Sequence, residues 1–206
     1  LKAAFIPCGY DEHVYRVKPE LKRKSDVLLA VGRSFFQKNF VFSFESWKAL
    51  GETRPNFWLF GSEPDMKSLD EKITYHTKPS DAEVNNLYNQ ATVFVQTSRH
   101  EGFCLPILEA MAAGAPVICT DAHGNRDFSI DGKTCLMVEQ DNKKELTAAL
   151  NKLFTDKKLR DKLSKNALKE VQKYTWPVVT DQLVEFYADI EKQSHITKKV
   201  KEKYGQ

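Results

Sequence analysis

Six short apolar runs, 27–31, 57–60, 73–76, 92–95, 116–119 and 135–138, alternate with stretches of helical period in this 206-residue chain. Each run has the length and the β-branched or aromatic content of a buried strand, and Gly, Pro or polar clusters bound it. The intervening segments, for example 82–90 and 105–113, carry apolar residues at helical spacing, and Ser80 with Glu83 three positions on forms a capping-box signature. Strands that alternate with helices imply a mostly parallel sheet covered on both faces, so the predicted fold is Rossmann-like α/β. Beyond 138 the pattern turns to helices alone, 143–154, 158–173 and 177–192, with Leu159, Leu163, Ala167 and Val171 forming one apolar stripe. The basic residues Lys198, Lys199, Lys201 and Lys203 set off 193–206 as a tail. A solvated helix end is the stronger reading of that tail, and a peripheral contact with a membrane surface or an acidic partner the weaker.

Composition narrows the function classes. Hydrophobic residues at 41% and charged residues at 29% give a globular chain, and no run approaches the ~20 apolar residues of a spanning helix. A net charge of +3 with interspersed Lys and Glu makes no case for nucleic acid. Cys8, Cys104, Cys119 and Cys135 lack a Cys-x-x-Cys pair, which argues against zinc and against a disulfide framework and leaves reduced, cytoplasmic thiols as the expectation. The chain opens on Leu1 with no initiator Met, so it is expected to be a piece of a longer protein.

In an open parallel sheet ligands bind beyond the carboxyl ends of the strands. The first run ends in Gly32-Arg33 with Lys38 following, two cations in one loop and helix start. Arg forks onto phosphate oxygens and Lys supplies a point charge, so the pair suits a diphosphate. A solvated loop with the Arg stem packed down fits as well. After the fourth run comes Glu101-Gly102-Phe103-Cys104-Leu105-Pro106, continuing to Glu109. Pro106 suits a helix's first turn and leaves the amides of Gly102, Phe103, Cys104 and Leu105 without helical partners, an anion site. Glu109 would reach ribose hydroxyls and Glu101 would face whatever the phosphate carries; a dipole-satisfying acid and a solvent-facing helix residue are the plain alternatives. The third place, 120–124, offers Gly124-Asn125 as a turn toward the ligand, with Asp121 and His123 read as ordinary loop residues. His76 and His100 read as structural, and no histidine has a Ser or Cys partner for nucleophilic chemistry.

The segment Glu101 to Glu109 resembles the paired-glutamate motif of retaining GT-B glycosyltransferases, family 4 in particular, with seven residues between the glutamates and Glu-Ala-Met-Ala-x-Gly-x-Pro-Val-Ile running on through Ile118. Pro7-Cys8-Gly9-Tyr10-Asp11, Val31-Gly32-Arg33 with Lys38-Asn39, Phe60-Gly61, the 80–88 segment and Tyr174-Thr175-Trp176 resemble further signatures in the family's order. The resemblance implies a GT-B C-terminal domain over 1–192 that binds a nucleoside-diphosphate sugar, UDP expected, and needs no metal or other cofactor. An unidentified acceptor would sit on an N-terminal domain outside this chain, and the fragment alone would transfer nothing measurable. Arg33 and Lys38 would contact the phosphates, Glu109 the ribose, Glu101 the sugar, and Lys78 and Pro79 the base. The family pattern is departed from at four places: Thr77 stands where Gly is usual, Cys8 for Asn, Cys104 for a second Gly, and His123-Gly124-Asn125 for the commoner Gly-Gly or Gly-x-Pro turn. A sugar-nucleotide 2-epimerase of the same architecture and an inactive binding module are the alternative functions.

Overall fold

The structure is a computed structural model that describes residues 3–63 and 66–204, with side chains at all of these except 67 and 194–204. Six strands, β1 (Val27–Val31), β2 (Asn56–Gly61), β3 (Ile73–Thr77), β4 (Val93–Gln96), β5 (Val117–Thr120) and β6 (Leu136–Val138), form one sheet in the order β3-β2-β1-β4-β5-β6. Every neighbouring pair is parallel. The six predicted runs thus become six strands with ends shifted by a residue or so. Thr92, expected within the fourth strand, lies just outside it: its hydroxyl donates to the carbonyl of Lys24 and accepts from the amide of Val27.

Helices α1 (Phe40–Lys48), α2 (Asp81–Gln90), α3 (Leu105–Ala112), α4 (Lys143–Thr155) and α5 (Lys157–Val171) connect and cover the strands. Alternate strand residues feed two cores. Leu29, Phe94 and Cys119 meet α2, α3 and the Ala167–Val171 end of α5 on one face. Leu28, Ala30 and Val95 meet α1 and α4 on the other, around Trp47, which is wholly buried with its indole N–H on the carbonyl of Pro55. Burying a large apolar side chain stabilises by about 1.5–3 kcal/mol, so both faces hold the sheet firmly. The Ser80–Glu83 capping box opens α2 as the sequence predicts.

The last helix, α6 (Trp176–Tyr204), differs from expectation in extent: it continues through residue 204 instead of stopping at 192, so the predicted tail is helical backbone over 193–204. The side chains of Lys198, Lys199, Lys201 and Lys203 lie outside the described residues. Along α6, Leu183, Val184, Tyr187 and Ile190 are exposed and Phe186 is half-buried against Tyr187. The helix begins against the chain's opening segment, where Tyr10 pairs with Thr175. A Cβ on Gly9 would come within 2.6 Å of the Trp176 ring, which is why that aromatic step needs glycine beside it. Among the described residues no helix is long and apolar enough to cross a membrane.

Candidate functional site

The strand order reverses direction between β1 and β4, and the loops leaving these two strands diverge to open a crevice at the sheet's carboxyl edge. They are stitched together across it. The amide of Arg99 donates to the carbonyl of Gln37 at 2.7 Å, and the Thr97 hydroxyl to the carbonyl of Asn39 at 2.9 Å. Asn39 holds a left-handed conformation (φ 50°) at the start of α1, and its side chain bonds both Arg99 and Asp141. Arg99 in turn forms an ion pair with Asp141 and lies 4.6 Å from the ring centre of Phe36.

This frame sets Lys38 against Glu101, Nζ to Oε1 at 2.6 Å, with side chains only 23% and 12% exposed. Charge-assisted contacts of this length are the strong ones, and partial burial shields the pair from salt. The Ser98 hydroxyl reaches the same Oε1 at 2.6 Å. Beyond Glu101 the chain enters α3 through Cys104, left-handed at φ 69°, with Pro in the first turn and no side-chain cap. The amides of Gly102, Phe103, Cys104 and Leu105 find no hydrogen-bond partner among the described residues. The Phe103 ring is anchored on Phe128 and Tyr174, so the loop is held from behind while its amides stay available. A Cβ on Gly102 would meet nothing within 4 Å: the space in front of this cradle is open.

Gly124 explains how the cradle is braced. A Cβ there would lie 2.4 Å from the carbonyl group of Gly102, and residues 101 and 123 form a β-bridge. Here the structure corrects the expected ligand-facing turn, because Asn125 points inward, fully buried, and bonds the backbone of Thr120 and Ala122. Asp121 is spent on Arg126, whose guanidinium holds its carboxyl below the usual range.

A cavity of about 310 Å³ opens beside this crevice and is lined by Arg33, Lys78, Pro79 and Glu109, with Tyr15, Gly61 and Asp81. Strand ends approach closely here: a Cβ on Gly61 would fall 2.7 Å from the Gly32 carbonyl oxygen. Lys78 adopts φ 46° and its amide bonds the Gly61 carbonyl at 2.6 Å, so the tight turn falls one residue after Thr77. Glu109 is half-buried in the cavity wall. Desolvation pushes its carboxyl up to about 7, the Tyr88 hydroxyl at 3.4 Å opposes this only weakly, and the charge of Asp81 adds to the rise. Burial, then the charges of Glu109 and Asp81, raise the Tyr15 hydroxyl as well.

The structure therefore brings together Lys38, Glu101 and the amides of residues 102–105 at one place, and Arg33, Lys78, Pro79 and Glu109 at an adjoining one. Gln96, Ser98, Arg99, Asp141, Tyr15 and Tyr88 escaped the sequence reading. Thr97-Ser98-Arg99 follows β4 directly, the position from which ligand-binding residues are expected, and that position was the signal available. A larger cavity of about 440 Å³ opens at the sheet's opposite edge, yet its cations are occupied: Arg54 pairs with Asp70 and Lys72 donates to the carbonyls of Glu52 and Arg54. Among the described residues no group of three His, Cys, Asp or Glu side chains could hold a metal, and all four cysteines are free thiols.

Residues 11–170 match the family described as glycosyl transferases group 1. The chain belongs to this family. It is similar to mannosylfructose-phosphate synthase of Agrobacterium fabrum, 26% identical over 209 residues that cover 87% of this chain and 46% of that protein. Among solved structures it resembles sucrose-phosphate synthase from Thermosynechococcus elongatus with a TM-score of 0.81 at 22% identity, covering 91% of this chain and 52% of that one. Anabaena Alr3699/HepE, solved in complex with UDP and glucose, gives a TM-score of 0.76 at 17% identity over 88% of this chain and 55% of that one. These likenesses establish the GT-B glycosyltransferase fold, and the chain spans about half the length of such relatives.

Proposed function

We propose that this chain is the donor half of a retaining glycosyltransferase: it binds a nucleoside-diphosphate sugar, UDP-linked, and presents the sugar to an acceptor held by a second, N-terminal domain. The observation that carries the reading is the Lys38–Glu101 pair, seated across the crevice at an open helix start and next to the Arg33–Glu109 cavity. The diphosphate would lie over the amides of 102–105 between Lys38 and Arg33, the ribose would donate to Glu109, and the base would rest against Lys78 and Pro79. Glu101 would accept from the transferred sugar's hydroxyls.

Breaking the glycosidic bond loads negative charge onto the leaving diphosphate, and donors that engage the diphosphate when it binds are in place to stabilise that charge as it develops. Two cations and a ring of backbone amides supply this, each charge-assisted contact contributing on the order of 1.5–3 kcal/mol when desolvated. The neutralising charge thus comes from side chains and helix start in place of a metal ion, and the chain alone, lacking an acceptor site, binds nucleotide without transferring sugar. Calorimetric titration of the chain with UDP, GDP, ADP and their glucose or mannose conjugates tests the proposal in metal-free buffer. Saturable one-to-one binding of a diphosphate, lost in Lys38→Ala, supports it; no binding of any diphosphate refutes it.

A further inference from the structure

Behind Glu101 runs a buried polar chain that neither the sequence motifs nor the proposed function uses. Gln96, at the end of β4 and 4% exposed, donates from Nε2 to the Ser98 hydroxyl oxygen at 2.6 Å, and Ser98, with no exposed surface, reaches Glu101 Oε1 at 2.6 Å. Polarity fixes the direction of the chain. An amide nitrogen only donates, so the Ser98 oxygen accepts there and its single proton is left to point at the carboxylate. The reversed amide would leave two acceptors competing for that proton in a buried place, an unsatisfied arrangement. Thr120 pins the segment from the far side, its hydroxyl donating to the Ser98 carbonyl at 2.6 Å.

Glu101 Oε1 therefore receives two donors, Ser98 and Lys38, and Oε2 has no partner among the described residues. The two donors are not equivalent when a ligand arrives. A diphosphate attracts the ammonium of Lys38 and has no hold on a buried serine hydroxyl. We infer that Ser98, oriented by Gln96, is the positioning residue that keeps the Glu101 carboxylate turned with Oε2 toward the donor sugar after Lys38 has been drawn to the phosphates. The inference rests on the reading of Glu101 as the sugar-facing carboxylate, and it assigns Ser98 to recognition of the sugar and not of the nucleotide.

That division makes the test. The chain is titrated with UDP and UDP-glucose and with GDP and GDP-mannose, and the pair that binds is followed in the variants. Ser98→Ala should weaken the sugar nucleotide about tenfold, the loss of one hydrogen bond to a charged group, and leave the bare diphosphate within about twofold of wild type. Gln96→Met, which removes the orienting amide while keeping the side chain's length, should shift the same ratio by about threefold, whereas Ser98→Thr, which keeps the hydroxyl, should hold the wild-type ratio. Equal losses for diphosphate and sugar nucleotide in both Ser98→Ala and Gln96→Met, or no change in either, would overturn the positioning role while leaving the site reading intact. A wild-type chain that binds a diphosphate but holds its sugar conjugate no more tightly removes the sugar contact of Glu101 and the inference with it. Failure of every diphosphate to bind overturns the site reading itself.

Discussion

Seven residues separate Glu101 from Glu109, yet the two carboxylates live in opposite electrostatic conditions. Glu101 meets an ammonium and a hydroxyl, both at 2.6 Å on one oxygen. Glu109 is half-buried with a single hydroxyl 3.4 Å away, and its carboxyl rises to about 7. The Lys38–Glu101 end, which on the proposed reading takes the phosphates, is organised before a ligand arrives, its charges balanced by the protein. The Glu109 end, which on the same reading takes the nucleoside, holds an under-partnered acid whose missing donors a ribose would provide. One end invests in pre-organisation and the other stores a desolvation penalty that binding relieves.

Lys38→Ala breaks the organised end and should have the largest effect. It removes a cation from the developing charge and leaves Glu101 half-buried and unpaired beside the diphosphate. If the proposed function holds, the turnover of a longer form that includes an acceptor domain should fall roughly a hundred- to a thousandfold. Glu101→Gln added to Lys38→Ala should recover part of the lost UDP affinity, because it takes away the uncompensated charge. A double mutant no better at holding UDP than Lys38→Ala would show that the pair is not the electrostatic unit described here.

Gly124→Ala strains the same end through the backbone. Its Cβ would lie 2.4 Å from the Gly102 carbonyl, backbone that cannot step aside cheaply. Overpacking of this kind costs about 1–3 kcal/mol, measurable in urea unfolding, and should weaken diphosphate binding by displacing the amides of 102–105. Unchanged stability and unchanged UDP affinity would contradict the bracing role.

The contrast between the two carboxylates also measures how much was legible in the sequence. Strand and helix identities were readable because apolar runs of strand length and the Ser80–Glu83 box are local signals, and the paired glutamates stood out as candidates because a motif fixes their spacing, with Arg33 and Lys38 candidates because they follow a strand end. Long-range partners were not. The Arg99–Asp141 pair spans 42 positions and the Tyr88–Glu109 contact 21, and nothing in local pattern tells which polar residue faces which across a crevice. The turn at Gly124-Asn125 departs from expectation for a related reason: Gly and Asn mark a bend, but only packing against Gly102 reveals which way it faces. The last helix outran its predicted end because Lys and Glu are good helix formers and the lysine-rich stretch carries no Gly or Pro stop before Gly205.

Glu109→Gln sharpens the other end, where pH supplies the lever. The folded chain holds the Glu109 proton up to about pH 7, whereas the ordinary value for a glutamate is 4.5, so between these the folded state binds more protons than the unfolded one. Stability from this group is therefore complete at low pH and declines as pH rises through that window. The amide variant should be more stable than wild type by about 1–2 kcal/mol at pH 8 and equal to it at pH 4, read by urea unfolding at both. Wild-type UDP affinity should rise with pH toward about 7 and then level, and in Glu109→Gln this dependence should vanish along with about fivefold of the affinity. A variant destabilised equally at both pH values would mean that Glu109 is adequately solvated after all.

Arg33→Ala should give the smallest effect and draws the finest distinction between the cations. The Arg33 side chain is exposed and its guanidinium has no hydrogen-bond or ion-pair partner among the described residues, whereas Lys38 is three-quarters buried against Glu101. Removing Arg33 should leave thermal stability unchanged and weaken UDP binding about twofold to threefold at low ionic strength. Salt then separates the two roles. An exposed cation loses most of its reach when the Debye length shrinks from about 10 Å at 0.1 M to about 3 Å at 1 M, and a half-buried one is screened far less. The Arg33→Ala defect should accordingly fade toward wild type in 1 M salt while the Lys38→Ala defect persists. If both defects fade together, Lys38 acts as a long-range attractor like Arg33, and the claim that the phosphate end is pre-organised by a shielded pair fails.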